Sequence, residues 1–190
     1  MCGLVVGYDH HFGSDRGSSF EDYVRYGKEA GVEVVRCEAF KVSEVNVSSS
    51  KVRNALEVGD VEMAKRLLGY WYPVSGRVVH GHKVGRTMGF PTANLDVAKE
   101  KLMPACGVYC ATVDVDGKEY RAMMNIGYRP TLNNGGISYE VYIDGFEGDL
   151  YGRELRLEMV KFVRGERKFD SLEALRRQIE SDLQVLREGL

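Results

Sequence analysis

The 190 residues suffice for one compact domain, or one domain with part of another, and 26 Lys and Arg against 28 Asp and Glu leave a net charge of −2, short of the basic excess that marks a dedicated nucleic-acid binder. Apolar runs such as Leu4-Val5-Val6 are too short to span a bilayer, Met1 opens no signal-like stretch, and Cys2, Cys37, Cys106 and Cys110 suit a reducing compartment better than a disulfide scaffold. A cytoplasmic enzyme or binding domain without membrane or nucleic-acid partners is therefore expected; its oligomeric state is not legible.

Leu4-Val5-Val6 predicts a short strand running into the polar loop Gly7-Tyr8-Asp9-His10-His11-Phe12-Gly13. A helix over 19–30 closes at Gly31, and Val32-Glu33-Val34-Val35 predicts a second, buried strand, the alternation of a parallel α/β sheet. A helical hairpin follows. Ser48, Ser49 or Ser50 can cap a helix carrying Val52, Ala55 and Leu56 that Gly59 stops; Asp60 caps a second carrying Met63, Ala64, Leu67 and Leu68 that Gly69 stops. After Trp71-Tyr72-Pro73 the pattern becomes β, with strands predicted over 74–79, 108–115, 119–125, 138–144 and 154–163. Asp116-Gly117 predicts a tight hairpin. The chain closes with a helix whose capping box is Asp170 and Glu173, and whose apolar face is Leu172, Leu175, Ile179, Leu183 and Leu186. The fold class expected is mainly β: a small antiparallel barrel with a C-terminal helix, preceded by a partial α/β module, with a boundary between residues 70 and 71.

The densest stretch is Gly81-His82-Lys83-Val84-Gly85-Arg86-Thr87-Met88-Gly89-Phe90-Pro91-Thr92-Ala93-Asn94. Gly81, Gly85 and Gly89, spaced four apart, allow backbone N–H groups close to an anion, and Lys83 and Arg86 add positive charge. Thr92 and Asn94 supply a hydroxyl and an amide suited to hold Mg²⁺ beside phosphates. The other reading of the same stretch is a long surface loop with turn glycines. His80 and His82 with Cys106 and Cys110 lack C-x-x-C spacing and are expected to be ordinary barrel residues. On the strand 138–144, Tyr139, Val141 and Ile143 share one face, while Glu140 lies with Ser138 and Tyr142 on the other, as a surface-facing glutamate would.

Gly85-Arg86 through Gly89-Phe90-Pro91-Thr92-Ala93-Asn94, followed by Gly107-Val108-Tyr109, resembles the signature of riboflavin kinases. Asn125-Ile126-Gly127-Tyr128-Arg129-Pro130-Thr131, Glu140-Val141-Tyr142, Asp149-Leu150-Tyr151-Gly152, Phe162-Val163-Arg164 and Lys168-Phe169 follow in the family's order. The resemblance implies a kinase that converts riboflavin and MgATP to FMN. It implies nucleotide binding by Gly81, Lys83, Gly85, Arg86, Gly89, Pro91, Thr92 and Asn94, with Mg²⁺ on Thr92 and Asn94. It further implies flavin contacts from Asn125, Arg129, Thr131 and Arg164, and makes Glu140 the catalytic base.

Upstream, Gly7-Tyr8-Asp9 with Phe12-Gly13, and Ser48-Ser49-Ser50-Lys51-Val52-Arg53, resemble the adenylyltransferase module of bifunctional riboflavin kinase/FAD synthetases. In that module the second motif holds ATP phosphates through hydroxyls, a helix N-terminus and an arginine, which is compatible with simple N-capping. Asp9, Ser48, Ser49, Ser50 and Arg53 are then its remnant. The family's His-x-Gly-His turn has no counterpart before Gly3, so FAD synthesis is expected to be lost and some apolar surface to be exposed. A non-catalytic flavin- or nucleotide-binding barrel is the alternative; it needs neither the Thr92/Asn94 pair nor Glu140.

Overall fold

From residue 72 onward, alternating apolar and polar residues build six strands hydrogen-bonded edge to edge into a closed antiparallel barrel. The computed structural model describes residues 3–7, 17, 19–42, 45–81, 85, 89–129 and 136–189, with backbone alone at Val45 and Arg129. The chain divides into two units, Met1–Val47 and Ser48–Leu190.

In the first unit, β1 (Gly3–Val6) pairs in parallel with β2 (Glu33–Arg36), joined through α1 (Phe20–Glu29). Ser19 and Asp22 form a reciprocal capping box at the start of α1. A short hairpin of β3 (Lys41–Val42) and β4 (Val45–Asn46), absent from the sequence expectation, completes the unit. The second strand is not buried as expected. Val35 is 48% exposed and Val5 67%, because a parallel pair of two strands leaves faces uncovered that larger parallel sheets bury.

The second unit opens with the helical hairpin, α2 (Ser49–Glu57) and α3 (Val61–Leu68). Ser48 accepts the Lys51 amide, Asp60 accepts that of Met63, and Gly69 takes the left-handed cap. The barrel strands are β5 (Tyr72–Val79), β6 (Ala93–Asp96), β7 (Gly107–Val115), β8 (Lys118–Arg129), β9 (Gly136–Ile143) and β10 (Glu154–Arg164). Around the barrel they run β10, β5, β6, β9, β8, β7 and back to β10. Asp116 and Gly117 both have positive φ, as the tight hairpin between β7 and β8 requires. Tyr109, Ala111, Val113 and Val115 point inward with Met124, Val141 and Leu157.

Ala55, Leu56, Val61 and Ala64 belong to this same core, and the Leu56 carbonyl accepts the Ala105 amide at 2.9 Å. The hairpin therefore packs with the barrel in a compact unit that runs from Ser48 to Leu190. Its amphipathic face needs an apolar partner, and the barrel supplies one.

The outer barrel face carries a smaller core. Val108, Cys110 and Met123 pack under α4 (Leu172–Gly189) through Leu183 and Leu186. Two details of α4 differ from expectation. Ser171, one residue later than Asp170, accepts the Ala174 amide at 3.1 Å, while Glu173 pairs with Arg177. Leu172 is 68% exposed, since the helix meets the barrel only further along.

Leu56 is fully buried between the hairpin and the barrel. Leu56→Ala should destabilise the barrel itself by about 2–5 kcal/mol, read from urea unfolding followed by tyrosine fluorescence. A barrel transition that does not move would place the hairpin outside the cooperative unit.

Candidate active site

Strand register brings residues far apart in sequence into one line. Asn94 on β6 is directly opposite Glu140 on β9, which is opposite Asn125 on β8. Asn125 is in turn opposite Val108 on β7, and Val108 opposite Arg164 on β10. Directly opposed residues share a face. Glu140 alternates with the inward-facing Val141, so this row lies on the outside of the barrel.

The loop before the row is shaped by close approaches. A Cβ at Gly81 would fall 2.0 Å from the Asn94 amide nitrogen, so only glycine leaves that side chain its place. At Gly85 the Phe90 carbonyl lies 2.4 Å from the position of a Cβ, and the Phe90 amide donates back to Gly85 at 2.9 Å. Thr92, just before β6, donates its hydroxyl to Glu140 Oε2 at 3.4 Å. Among the predicted residues, Gly81, Gly85, Pro91, Thr92 and Asn94 are thus brought near Glu140, Asn125 and Arg164 on adjoining strands and loops, while Gly89 takes a positive φ with nothing within 4 Å of the position of a Cβ. Asp9, Lys83, Arg86, Thr131 and the Arg129 side chain lie outside the described residues. Ser48, Ser49, Ser50 and Arg53 sit at the start of α2, where Ser48 serves as the cap.

Two clefts flank this row. One of about 410 Å³ lies beneath α4, with Asn125, Glu140, Arg164, Phe90 and Phe169 on its walls. The other, of about 560 Å³, lies against the 145–151 loop, with Pro91, Phe146 and Tyr151 among its walls. His80 stacks on Tyr151 beside it, ring centroids 4.0 Å apart. Thr92 and Tyr142 line both clefts. Tyr142 donates to Asp144 at 3.3 Å, and burial followed by the Asp144 charge holds its hydroxyl above the usual phenol range, so it remains a donor. The Arg187 guanidinium beside Asp144, at 2.8 and 3.0 Å, holds that carboxyl below its ordinary range.

Sequence reasoning missed Asp182, which is 3% exposed and paired with Arg164 at 2.8 Å on the wall of the smaller cleft. The signal was present: Asp182 is three residues after Ile179 and four before Leu186, on the apolar face of the helix. Among the described residues no group of three metal-ligating side chains occurs.

The riboflavin kinase (Flavokinase) family model matches residues 68–190. The bifunctional riboflavin kinase/FMN adenylyltransferase of Pseudomonas fluorescens is 40% identical over 185 residues, covering 97% of this chain and 59% of its own. The same-named protein of Escherichia coli K12 is 38% identical over 186 residues, with the same shares. The crystal structure of a macrolide-efflux protein from Streptococcus pneumoniae superposes with a TM-score of 0.86 at 36% identity, over 97% of this chain and 59% of that one. The chain thus spans 59% of the length of these relatives. Among the described residues here, no helix is long and apolar enough to cross a membrane.

A lowered carboxyl pKa stabilises the fold above the ordinary carboxylate range, and that contribution disappears as pH falls through the lowered value. Asp144→Asn should therefore unfold more easily than the unsubstituted chain at neutral pH, with the two curves converging in acid. Denaturant midpoints measured across that range check this; a constant gap would show that the ion pair with Arg187 contributes nothing.

Proposed function

The chain belongs to the riboflavin kinase family, and we propose that residues 71–190 transfer the γ-phosphoryl group of MgATP to the ribityl 5′-hydroxyl of riboflavin, giving FMN and MgADP. The observation that carries this reading is the pair of clefts sharing Thr92 and Tyr142, with Glu140 at their junction. A donor and an acceptor substrate, one in each cleft, would meet beside that carboxylate. ATP is assigned to the cleft of the 145–151 loop, its phosphates reaching the glycine-rich stretch with Lys83 and Arg86. Riboflavin is assigned to the cleft beneath α4, with Asn125, Arg129, Thr131 and Arg164 as its contacts. The cytoplasm, where ATP is supplied, is the corresponding location.

Phosphoryl transfer depends mainly on positioning and charge neutralisation. Glu140 accepts the proton of the 5′-hydroxyl, the freed oxygen bonds to the γ-phosphorus, and the bond from that phosphorus to the bridging oxygen of ADP breaks. The mid-strand position of Glu140, hydrogen-bonded to Thr92, fixes its carboxylate better than a loop could. The donor set at Thr92 and Asn94 fits Mg²⁺: a hydroxyl that donates to Glu140 keeps lone pairs for a cation, and the amide adds a second hard, neutral oxygen. Bound there, the ion would neutralise phosphate charge.

We assign residues 1–70 to the C-terminal part of an adenylyltransferase module, with Asp9, Ser48, Ser49, Ser50 and Arg53 as its motif residues and the α2–α3 hairpin folding onto the barrel. These 190 residues hold no His-x-Gly-His motif. The FMN adenylyltransferase activity in the relatives' names is therefore not extended to them, and FMN with ATP should yield no FAD by chromatography.

Riboflavin with MgATP should yield FMN in the same assay; flavin binding without FMN would favour a carrier barrel instead. Glu140→Gln keeps the shape and removes the base, so kcat should fall about 10²–10⁴-fold with riboflavin affinity little changed. Near-normal kcat in that variant would assign the base elsewhere. Gly81→Ala forces the Asn94 side chain out of place, and should weaken MgATP use, seen as a raised KM, far more than riboflavin binding, as Thr92→Ala should also.

A further inference from the structure

Among the described residues Asp182 is the one buried charged side chain, and it lies on the apolar face of α4. Its two oxygens take four hydrogen bonds. Arg164 Nε reaches Oδ1 at 3.1 Å and Oδ2 at 3.0 Å, Arg164 Nη2 reaches Oδ2 at 2.8 Å, and Gln178 Nε2 reaches Oδ1 at 2.8 Å. A side-on fork of this kind fixes the plane of a guanidinium as well as its position. Well-packed apolar residues would hold the helix to the barrel at least as firmly, so stability does not explain the pair.

The pair's other contacts indicate what it holds. Arg164 Nη1 donates to the Gly165 carbonyl at 3.1 Å, and the guanidinium carbon lies 5.8 Å from the centre of the Phe169 ring. Two residues past Arg164, Glu166 accepts the Tyr128 amide at 2.9 Å. The 164–169 segment is thus fastened to α4 at its first residue and to β8 at its third, and Phe169 reaches the smaller cleft beside Arg164. An arginine over an aromatic face restrains the ring it covers.

We infer that Asp182 is a positioning residue: by fixing the plane of Arg164 it holds Phe169 at the angle that presents an aromatic face to a planar heteroaromatic ring in the cleft beneath α4. This rests on the reading that riboflavin occupies that cleft. Asp182 touches no substrate, and its effect passes through Arg164 to Phe169.

The test is a double-mutant cycle on the full chain, with riboflavin binding read by quenching of flavin fluorescence well below the melting midpoint, and KM measured for both substrates. Asp182→Asn should weaken riboflavin binding about tenfold, in the range expected when a buried charged hydrogen bond is lost, with KM for MgATP unchanged. In a Phe169→Ala background the same substitution should have a clearly smaller effect on riboflavin, because the ring it positions is gone and only the direct contact of Arg164 is left. An undiminished effect in that background would make the pair a packing element only and overturn the inference, as would unchanged riboflavin binding in Asp182→Asn. Should Asp182→Asn not fold, Arg164→Lys carries the same cycle: it keeps the charge opposite Asp182 and loses the planar fork. It should weaken riboflavin binding more in the intact background than in Phe169→Ala, where only the direct contact of Arg164 is lost; equal effects in both overturn the inference. An unsubstituted chain that binds no riboflavin would remove the reading of the cleft, and this inference with it, whereas binding by the unsubstituted chain that no variant alters overturns the inference alone.

Discussion

Closure of the barrel is the constraint on which the site depends. An open sheet tolerates a slipped strand at its edge, but a closed one requires each strand's register to agree with both neighbours. That requirement fixes Asn94 opposite Glu140, Glu140 opposite Asn125, Asn125 opposite Val108 and Val108 opposite Arg164. A slip of one residue in β9 would turn Glu140 into the core and Val141 out to the cleft. The inward set of Tyr109, Met124, Val141 and Leu157 resists such a slip, because it would lose its burial at once. The hydrophobic interior thereby fixes the register of a largely polar row on the opposite face.

The outer face would be solvated in most small barrels, yet here α4 covers part of it. Val108, Cys110 and Met123 make its apolar floor, and Leu183 and Leu186 close over them. The smaller cleft lies between that helix and the strands beneath it. It therefore has strand residues on one side, helix residues on the other, and the 164–169 segment between them. Asp182 belongs to this arrangement: a carboxylate on the face of a helix that is otherwise apolar marks where the helix meets a cation on the barrel instead of more hydrocarbon.

Much of the fold was legible because local rules decide it. Caps at Ser48, Asp60 and Gly69, the Asp116-Gly117 turn and the alternation through β7 and β9 all rest on residues within a few positions of one another. The elements that were missed lack such signals. β6 is four residues long and follows a glycine-rich stretch, and β3 and β4 have two residues each. Ser171 displaced Asp170 as the cap because α4 starts one residue later, a shift that composition does not resolve. Site residues were named through resemblance and not through register. Nothing in the spacing of 94, 125, 140 and 164 says that they adjoin, because that is a property of the closed sheet. The hairpin's allegiance was likewise hidden, since an amphipathic face does not identify the surface that covers it.

The residues most buried in the barrel face inward, whereas the polar residues of the row across β6, β9 and β8 face outward. Tyr109, Leu157 and Met159 are wholly buried, and their replacement would leave cavities. Glu140, Asn125 and Thr92 are only partly buried and face a cleft, so exchanging them removes no core volume. Asp182 and Arg164 are the exception, because a buried ion pair that borders the cleft belongs to both sets. Breaking one partner strands the other charge in a poorly solvated site, so the same substitution must affect stability and ligand geometry together. Such a pair can be maintained only while both charges are present. This couples the orientation of α4 to the shape of the cleft.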